Sequence, residues 1–199
     1  METMEPEFET RKFVNYIIFV VLGAVVLKMI FSGGIFKSDW HKGDGYKIKF
    51  PAGWVLDTKH STKEELFSTT QKAEQITYAT QEINPATNKP AASMSMYTNK
   101  LAQAAWMADE FPGILAGMEA QGIKILQKGE IKIDKRIHKW VLYKNPYDGT
   151  LNFEFYFIDD SNYFYKLSLT TYPEYFDKYR PAFEASKETL KYLRLSFDQ

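Results

Sequence analysis

The residues best suited to acid–base or metal chemistry are three histidines, His41, His60 and His138, and their spacing argues against both roles. They are far apart, and none has a second histidine at i,i+4 to put two ligands on one helix face. His41 has Asp39 and Asp44 nearby, a set of hard oxygens and an imidazole that would suit a divalent ion. At this spacing they read instead as a solvated polar linker. Asp159-Asp160-Ser161-Asn162 superficially resembles a calcium loop but lacks its twelve-residue frame and terminal glutamate, so it reads as a hairpin turn. The chain has no cysteine, which removes disulfides, thiolate nucleophiles and Cys-ligated metal sites together. No Gly-x-Ser-x-Gly elbow, phosphate-cradling glycine loop, His-Glu-x-x-His pair or paired-carboxylate arrangement is present. The sequence therefore predicts no catalytic residue, no metal and no cofactor.

Charge offers a second kind of chemistry. The chain balances 25 basic against 25 acidic residues, so it carries no electrostatic footprint for nucleic acid. The balance is locally broken by Lys124, Lys128, Lys132, Lys135, Arg136, Lys139 and Lys144, interrupted only by Glu130 and Asp134. Lysines on an edge strand commonly guard against aggregation. The functional reading is contact with an acidic partner or anionic lipid, centred on Lys132, Lys135, Arg136 and Lys139. Tyr147, like Tyr163 and Tyr172, falls at a strand end or turn, and is the aromatic added to this partner-binding set.

These residues need elements to hold them. Tyr46, Ile48 and Phe50 alternate with Lys47 and Lys49 as in a half-buried strand, ended by Pro51-Ala52-Gly53 before Trp54, which is expected in the core. Residues 58–75 are polar, and Ser61 with Glu64 forms a possible capping box for a short helix. Residues 76–83 and 92–98 read as strands joined by the hairpin loop NPATNKP. From Leu101 to about Gln121 the apolar period is helical, with Pro112 kinking or restarting the helix and Gly122 stopping it. Strands follow over 130–134, 137–143, 150–158 and 163–171, joined by hairpin-length turns and hence antiparallel. Leu151, Phe153, Phe155 and Phe157 share one face of the third of these. Phe183, Ser186, Leu190, Leu193 and Phe197 form the apolar stripe of a closing helix that Pro181 breaks near its start. The class is α+β. The 15 Phe, 13 Tyr and 4 Trp imply a large aromatic core and, secondarily, a surface for a partner.

Ahead of this domain, Phe13 to Phe31 reads FVNYIIFVVLGAVVLKMIF, apolar on all sides. At about 1.5 Å per residue it makes roughly 28 Å of helix, close to the roughly 30 Å of bilayer hydrocarbon. It is too long for a signal-peptide core, and Lys28 lies where its stem can reach the headgroups. The expected organisation is a leader over 1–12, a transmembrane anchor over 13–36, a linker over 37–45 with Trp40 at the membrane interface, and a domain over 46–199. Lys and Arg counts leave the orientation open. Four lysines follow the span within twenty residues, against Arg11 and Lys12 before it, yet a long domain translocates largely regardless of charge.

The order of elements resembles the PsbP-like family, which also contains the DcrB-like bacterial proteins and the Mog Ran-binding proteins. The resemblance rests on the strand running into FPAGW (50–54), the hairpin ending ASMSMYT, NYFYKLSLTTYPEYF (162–176) and RPAFEASKETLKYL (180–193). It covers roughly residues 45–197 and implies an α/β/α sandwich around a mostly antiparallel sheet, here preceded by one transmembrane helix. Members generally serve as accessory or assembly subunits, many on the non-cytoplasmic face of a membrane. That tips the expected orientation toward a single-pass, N-in signal anchor with an extracytoplasmic, periplasmic or lumenal, domain. The family has no shared catalytic motif to transfer. The resulting expectation is a non-catalytic accessory subunit binding other proteins of a membrane complex, with the bilayer contacted through residues 13–36. The alternative is a tethered small-ligand or lipid carrier whose aromatic sheet face lines a pocket.

Overall fold

The computed structural model describes residues 40–65 and 72–193. The leader, the anchor, the first part of the linker and Phe197 lie outside the described residues. No helix among the described residues is long and apolar enough to cross a membrane.

Two short strands open the domain, β1 (Trp40–Gly43) and β2 (Tyr46–Lys49), paired antiparallel. The end of the expected linker is thus a strand, because Gly45, at φ +83°, lets the chain reverse and lay Trp40–Gly43 along β2. Trp40 lies beneath the ammonium groups of Lys47 and Lys49, 4.9 and 5.0 Å from its ring. The expected alternation in β2 holds, with Tyr46, Ile48 and Phe50 buried.

After the turn at Pro51–Gly53 come β3 (Val55–Leu56), β4 (Thr62–Glu65) and β5 (Lys72–Ala79). The capping-box helix expected at Ser61–Glu64 does not form. The segment has no apolar stripe to bury, and it pairs instead with β5, Thr62 opposite Gln75. A two-stranded ribbon, β6 (Ile83–Asn84) and β7 (Lys89–Pro90), decorates the expected hairpin loop, which leads to β8 (Ala92–Lys100).

Helix α1 runs Met107–Ala120, six residues later than the pattern from Leu101 predicts. Met107, Phe111, Ile114, Leu115 and Met118 make its inward stripe. Pro112 is exposed, and α1 continues through it because the carbonyl it leaves unpaired, that of Ala108, lies on the solvent side. Gly122, at φ +73°, ends the helix as expected, with Ile123 N–H returned to Met118 at 3.0 Å.

Four long strands follow: β9 (Lys124–Ile133), β10 (Arg136–Lys144), β11 (Leu151–Ile158) and β12 (Tyr163–Thr171). Asp134 and Lys135, at φ 46° and 67°, make the two-residue turn between β9 and β10. A 3₁₀ turn at Pro173–Tyr175 enters α2 (Phe176–Thr189), with Pro181 in its first half. The closing helix stops at Thr189 rather than running through Leu193. Leu190 turns to ψ 127°, and β13 (Lys191–Tyr192) pairs with Lys47 and Tyr46. The helical spacing of Leu190 and Leu193 loses to the unpaired edge of β2, and Leu193 is exposed.

All pairings are antiparallel, in an eight-stranded sheet ordered β3-β5-β8-β12-β11-β10-β9 with β4 also on β5, and a three-stranded sheet ordered β1-β2-β13. One face of the large sheet packs Met94, Met96, Phe153, Phe155, Tyr165, Leu167 and Leu169 against α2 and the small sheet. The other packs Val141 and Tyr156 against Met107, Phe111 and Leu115 of α1. A mostly antiparallel sheet with a helix on each face makes the domain α+β. Trp54 is half-buried at the rim of the larger cluster, edge-on to Tyr179 at 5.7 Å, so it seals the core rather than filling it.

Candidate partner-binding surface

The basic run lies on the β9–β10 hairpin at one end of the large sheet. Register divides it between faces. Lys132 stands opposite Ile137 and Glu130 opposite Lys139, all on the α1 side, with Lys139 ion-paired to Glu130. Ile137 is 61% exposed beside them. Lys135 is at the tip. Arg136 lies on the opposite, aromatic side, its guanidinium 4.9 Å from the Tyr192 ring and 3.5 Å from Asp134. Lys128, Lys132 and Lys135 enter no salt bridge among the described residues. The structure therefore brings Lys132 and Lys139 together, and gives Arg136 a packing role.

The tip itself is pinned. The Asp134 carboxylate accepts the Tyr192 N–H at 3.0 Å and Lys191 Nζ at 3.1 Å. Burial pushes its pKa up, but these donors outweigh it and hold the carboxyl below its ordinary range. Just behind, His138 is 1% exposed, stacked on Phe157 at 4.9 Å. Its Nδ1 is 3.0 Å from the Arg136 carbonyl and its Nε2 2.6 Å from the Tyr192 hydroxyl, which suits a neutral ring donating through Nδ1 and accepting at Nε2. Burial drives this imidazole down to about 4. His138 is a core residue.

Tyr147 is not part of this cluster. It sits in the turn after β10, 78% exposed, its hydroxyl 3.4 Å from the Gln121 carbonyl. The length of β10 separates it from Arg136, about 27 to 30 Å at strand rise. Tyr172 is buried, and Tyr163 is half-buried under Lys100 Nζ at 4.8 Å.

The other sequence candidates resolve into structure. Asp159 is 8% exposed and its carboxylate accepts N–H groups from Ser161 and Tyr163 and the Tyr165 hydroxyl, at 3.0, 2.8 and 2.9 Å. That is a self-satisfied turn. His60 Nδ1 meets Asp57 at 2.7 Å at the rim of a polar groove of about 400 Å³, floored by Thr77, Ser93, Ser95 and Thr170. Thr77 and Ser95 bond each other at 2.9 Å, and Thr170 bonds Asn152 at 2.8 Å. Among the described residues no group of three or more His, Asp or Glu is placed to hold a metal.

Two apolar features were missed by sequence reasoning. Trp106, expected inside a helix, precedes α1 and is 67% exposed, near an open groove of about 500 Å³ that includes Tyr97, Leu101, Ile114 and Phe164. A cavity of about 150 Å³ lies between β9 and α2. No periodicity signals either, since both arise where elements meet.

No family model matches the sequence, and no curated protein matches it. Solved structures do. The solution structure of cyanobacterial PsbP (CyanoP) from Synechocystis sp. PCC 6803 superposes with a TM-score of 0.50 at 10% identity, over 80% of this chain and 96% of that one. The crystal structure of PA94, a Pseudomonas aeruginosa protein of unknown function, gives 0.46 at 15% identity, over 79% and 98%. At such identities the likeness is one of architecture: the chain has a PsbP-like fold.

Proposed function

We propose that this chain is a membrane-tethered, non-catalytic accessory subunit that binds other proteins of a membrane complex. Residues 13–36 anchor it in the bilayer, and the domain of residues 46–199 lies on the extracytoplasmic side. The observation that carries this reading is the exposed hairpin edge, where Lys128, Lys132, Lys135 and Ile137 are displayed while the aromatic face behind them is packed except for one small cavity. Lys132 and Lys135 meet acidic groups of the partner, Lys139 and Arg136 hold the hairpin, and Tyr147 makes a separate contact. A tether confines the domain near its partner, so weak contacts suffice. A carrier has less support, because the cavity on the aromatic face is about 150 Å³, below the roughly 300 to 1,000 Å³ of small-molecule pockets.

The test is co-purification of the full chain in mild detergent. Reversing Lys128, Lys132 and Lys135 to Glu should release the associated proteins at lower salt than wild type while the melting temperature holds, since exposed charges add little stability. Unchanged co-purification and salt dependence would sink the attachment through this edge.

A further inference from the structure

The large sheet ends in a strand that is long and, among the described residues, unpaired on one side. β9 spans ten residues, and no described strand pairs with its outer edge. The two-residue turn makes Ile133 and Arg136 a hydrogen-bonded pair, so Ile131 and Gly129 also direct their backbone groups to β10. Lys128, Glu130 and Lys132 then direct their N–H and C=O groups outward. These are the donors and acceptors an added strand would use.

The two faces of this edge ask for different side chains. On the α1 side stand Lys128 and Lys132, with Glu130 between them already paired to Lys139. On the α2 side the row runs Gln127, Gly129, Ile131. Gly129 is bare for a reason: a Cβ there would lie 2.9 Å from the Trp140 ring. The Trp140 ring covers Gly129 and also lines the 150 Å³ cavity, together with Leu142, Phe153 and Phe176, with Gln127 and Arg180 in its wall. A cavity of about that size accepts a benzene-sized group.

We propose that β9 binds an extended segment of a partner protein by strand addition. The segment sets acidic residues over Lys128 and Lys132, a neutral polar residue over Glu130 between them, and apolar residues on its other side, one of which reaches the cavity beside Gly129. This rests on the reading of the hairpin as the attachment surface and supplies its partner chemistry. Charge complementarity selects the occupant. A second copy pairing antiparallel about Glu130 would set Glu130 against Glu130 and Lys128 against Lys132, like charges directly opposed.

The test uses the full chain in detergent and a synthetic seven-residue peptide, Glu-Val-Thr-Phe-Glu-Val-Thr, whose Phe faces Gly129, whose two Glu face Lys132 and Lys128 and whose first Thr faces Glu130. Hydrogen exchange should slow at the amides of Lys128, Glu130 and Lys132 when the peptide is added. A Lys128→Glu/Lys132→Glu double variant should bind about tenfold more weakly. A peptide with Lys in place of Glu, or with Pro in place of the first Thr, whose N–H must bond Glu130, should give no protection. Binding that leaves β9 amides unprotected, equal binding of the Lys peptide, or β9 protection from raised protein concentration alone overturns strand addition. If the peptide protects β9 but co-purification ignores the lysine reversals, strand addition stands and the reading of this edge as the attachment surface of the complex falls.

Discussion

The two faces of the eight-stranded sheet are built from the same strands and do different work. On β8 and β12, Ala92, Met94, Met96 and Tyr165, Leu167, Leu169 face α2 and the small sheet, all buried. The residues between them, Ser93, Ser95, Ser168 and Thr170, face the other way, where α1 covers the neighbouring strands through Val141 and Tyr156. A period of two lets one strand serve an aromatic core and a hydroxyl-lined groove at once. Most of the cohesion therefore sits on one face, leaving the groove and the free edge open to vary with little effect on the fold.

The largest expected effect follows from that asymmetry. Phe183 is 0% exposed and packs against Phe153 and Phe155 at 5.7 and 5.6 Å. Phe183→Ala should cost about 4 to 5 kcal/mol, because the rigid rings of Phe153 and Phe155 cannot collapse into the hole. Phe111→Ala on α1, against a smaller cluster and 5.9 Å from Tyr156, should cost about 3 kcal/mol. Urea midpoints would measure both, and equal losses would break the comparison.

The aromatic face also carries the pH dependence. His138 falls from an ordinary 6.5 to about 4, so between those values the unfolded chain binds a proton that the folded chain refuses. Its neutral, buried state is fully compatible with folding above pH 6.5, and stability is lost as pH falls toward 4, by about 3 kcal/mol in all. Asp57 and Asp134 are held below the ordinary carboxylate range, so their losses come at lower pH. Urea unfolding at pH 7, 5.5 and 4 should show the decline in wild type and a flatter profile in His138→Gln. Parallel profiles would mean that His138 is not the group responsible.

Much of this was legible in the sequence. Alternation marked β2 and β11, and the hairpin-length turns set the antiparallel pairing of β9 through β12. Gly122 and the Met107-Phe111-Leu115 spacing marked α1. The failures share a cause: β1, β4 and β13 are strands only because β2 and β5 have edges to pair, and pairing between distant segments leaves no local period. The lysines of the hairpin were visible as charges, but their division between faces depends on a register fixed by the Asp134-Lys135 turn. Tyr147 was grouped with them by its place in a turn, whereas β10 carries it to the far end of the hairpin.

The smallest effect is expected on the hydroxyl-lined groove. Thr77 is 3% exposed, and its hydroxyl donates to the His60 carbonyl at 3.0 Å, so the 2.9 Å contact with Ser95 has Ser95 as donor. Ser95→Ala removes that donor and leaves Thr77 with one unused lone pair, facing a groove that water can enter. The cost should be about 0.5 to 1 kcal/mol, the net worth of an ordinary hydrogen bond. Thr77→Val should cost about 1 kcal/mol, since the His60 carbonyl still has the Gln75 amide at 2.9 Å. Neither should move the pH profile set by His138. A loss above about 2 kcal/mol for Ser95→Ala would mean that the groove holds the fold as firmly as the aromatic face does, and the division of labour between the two faces would fail.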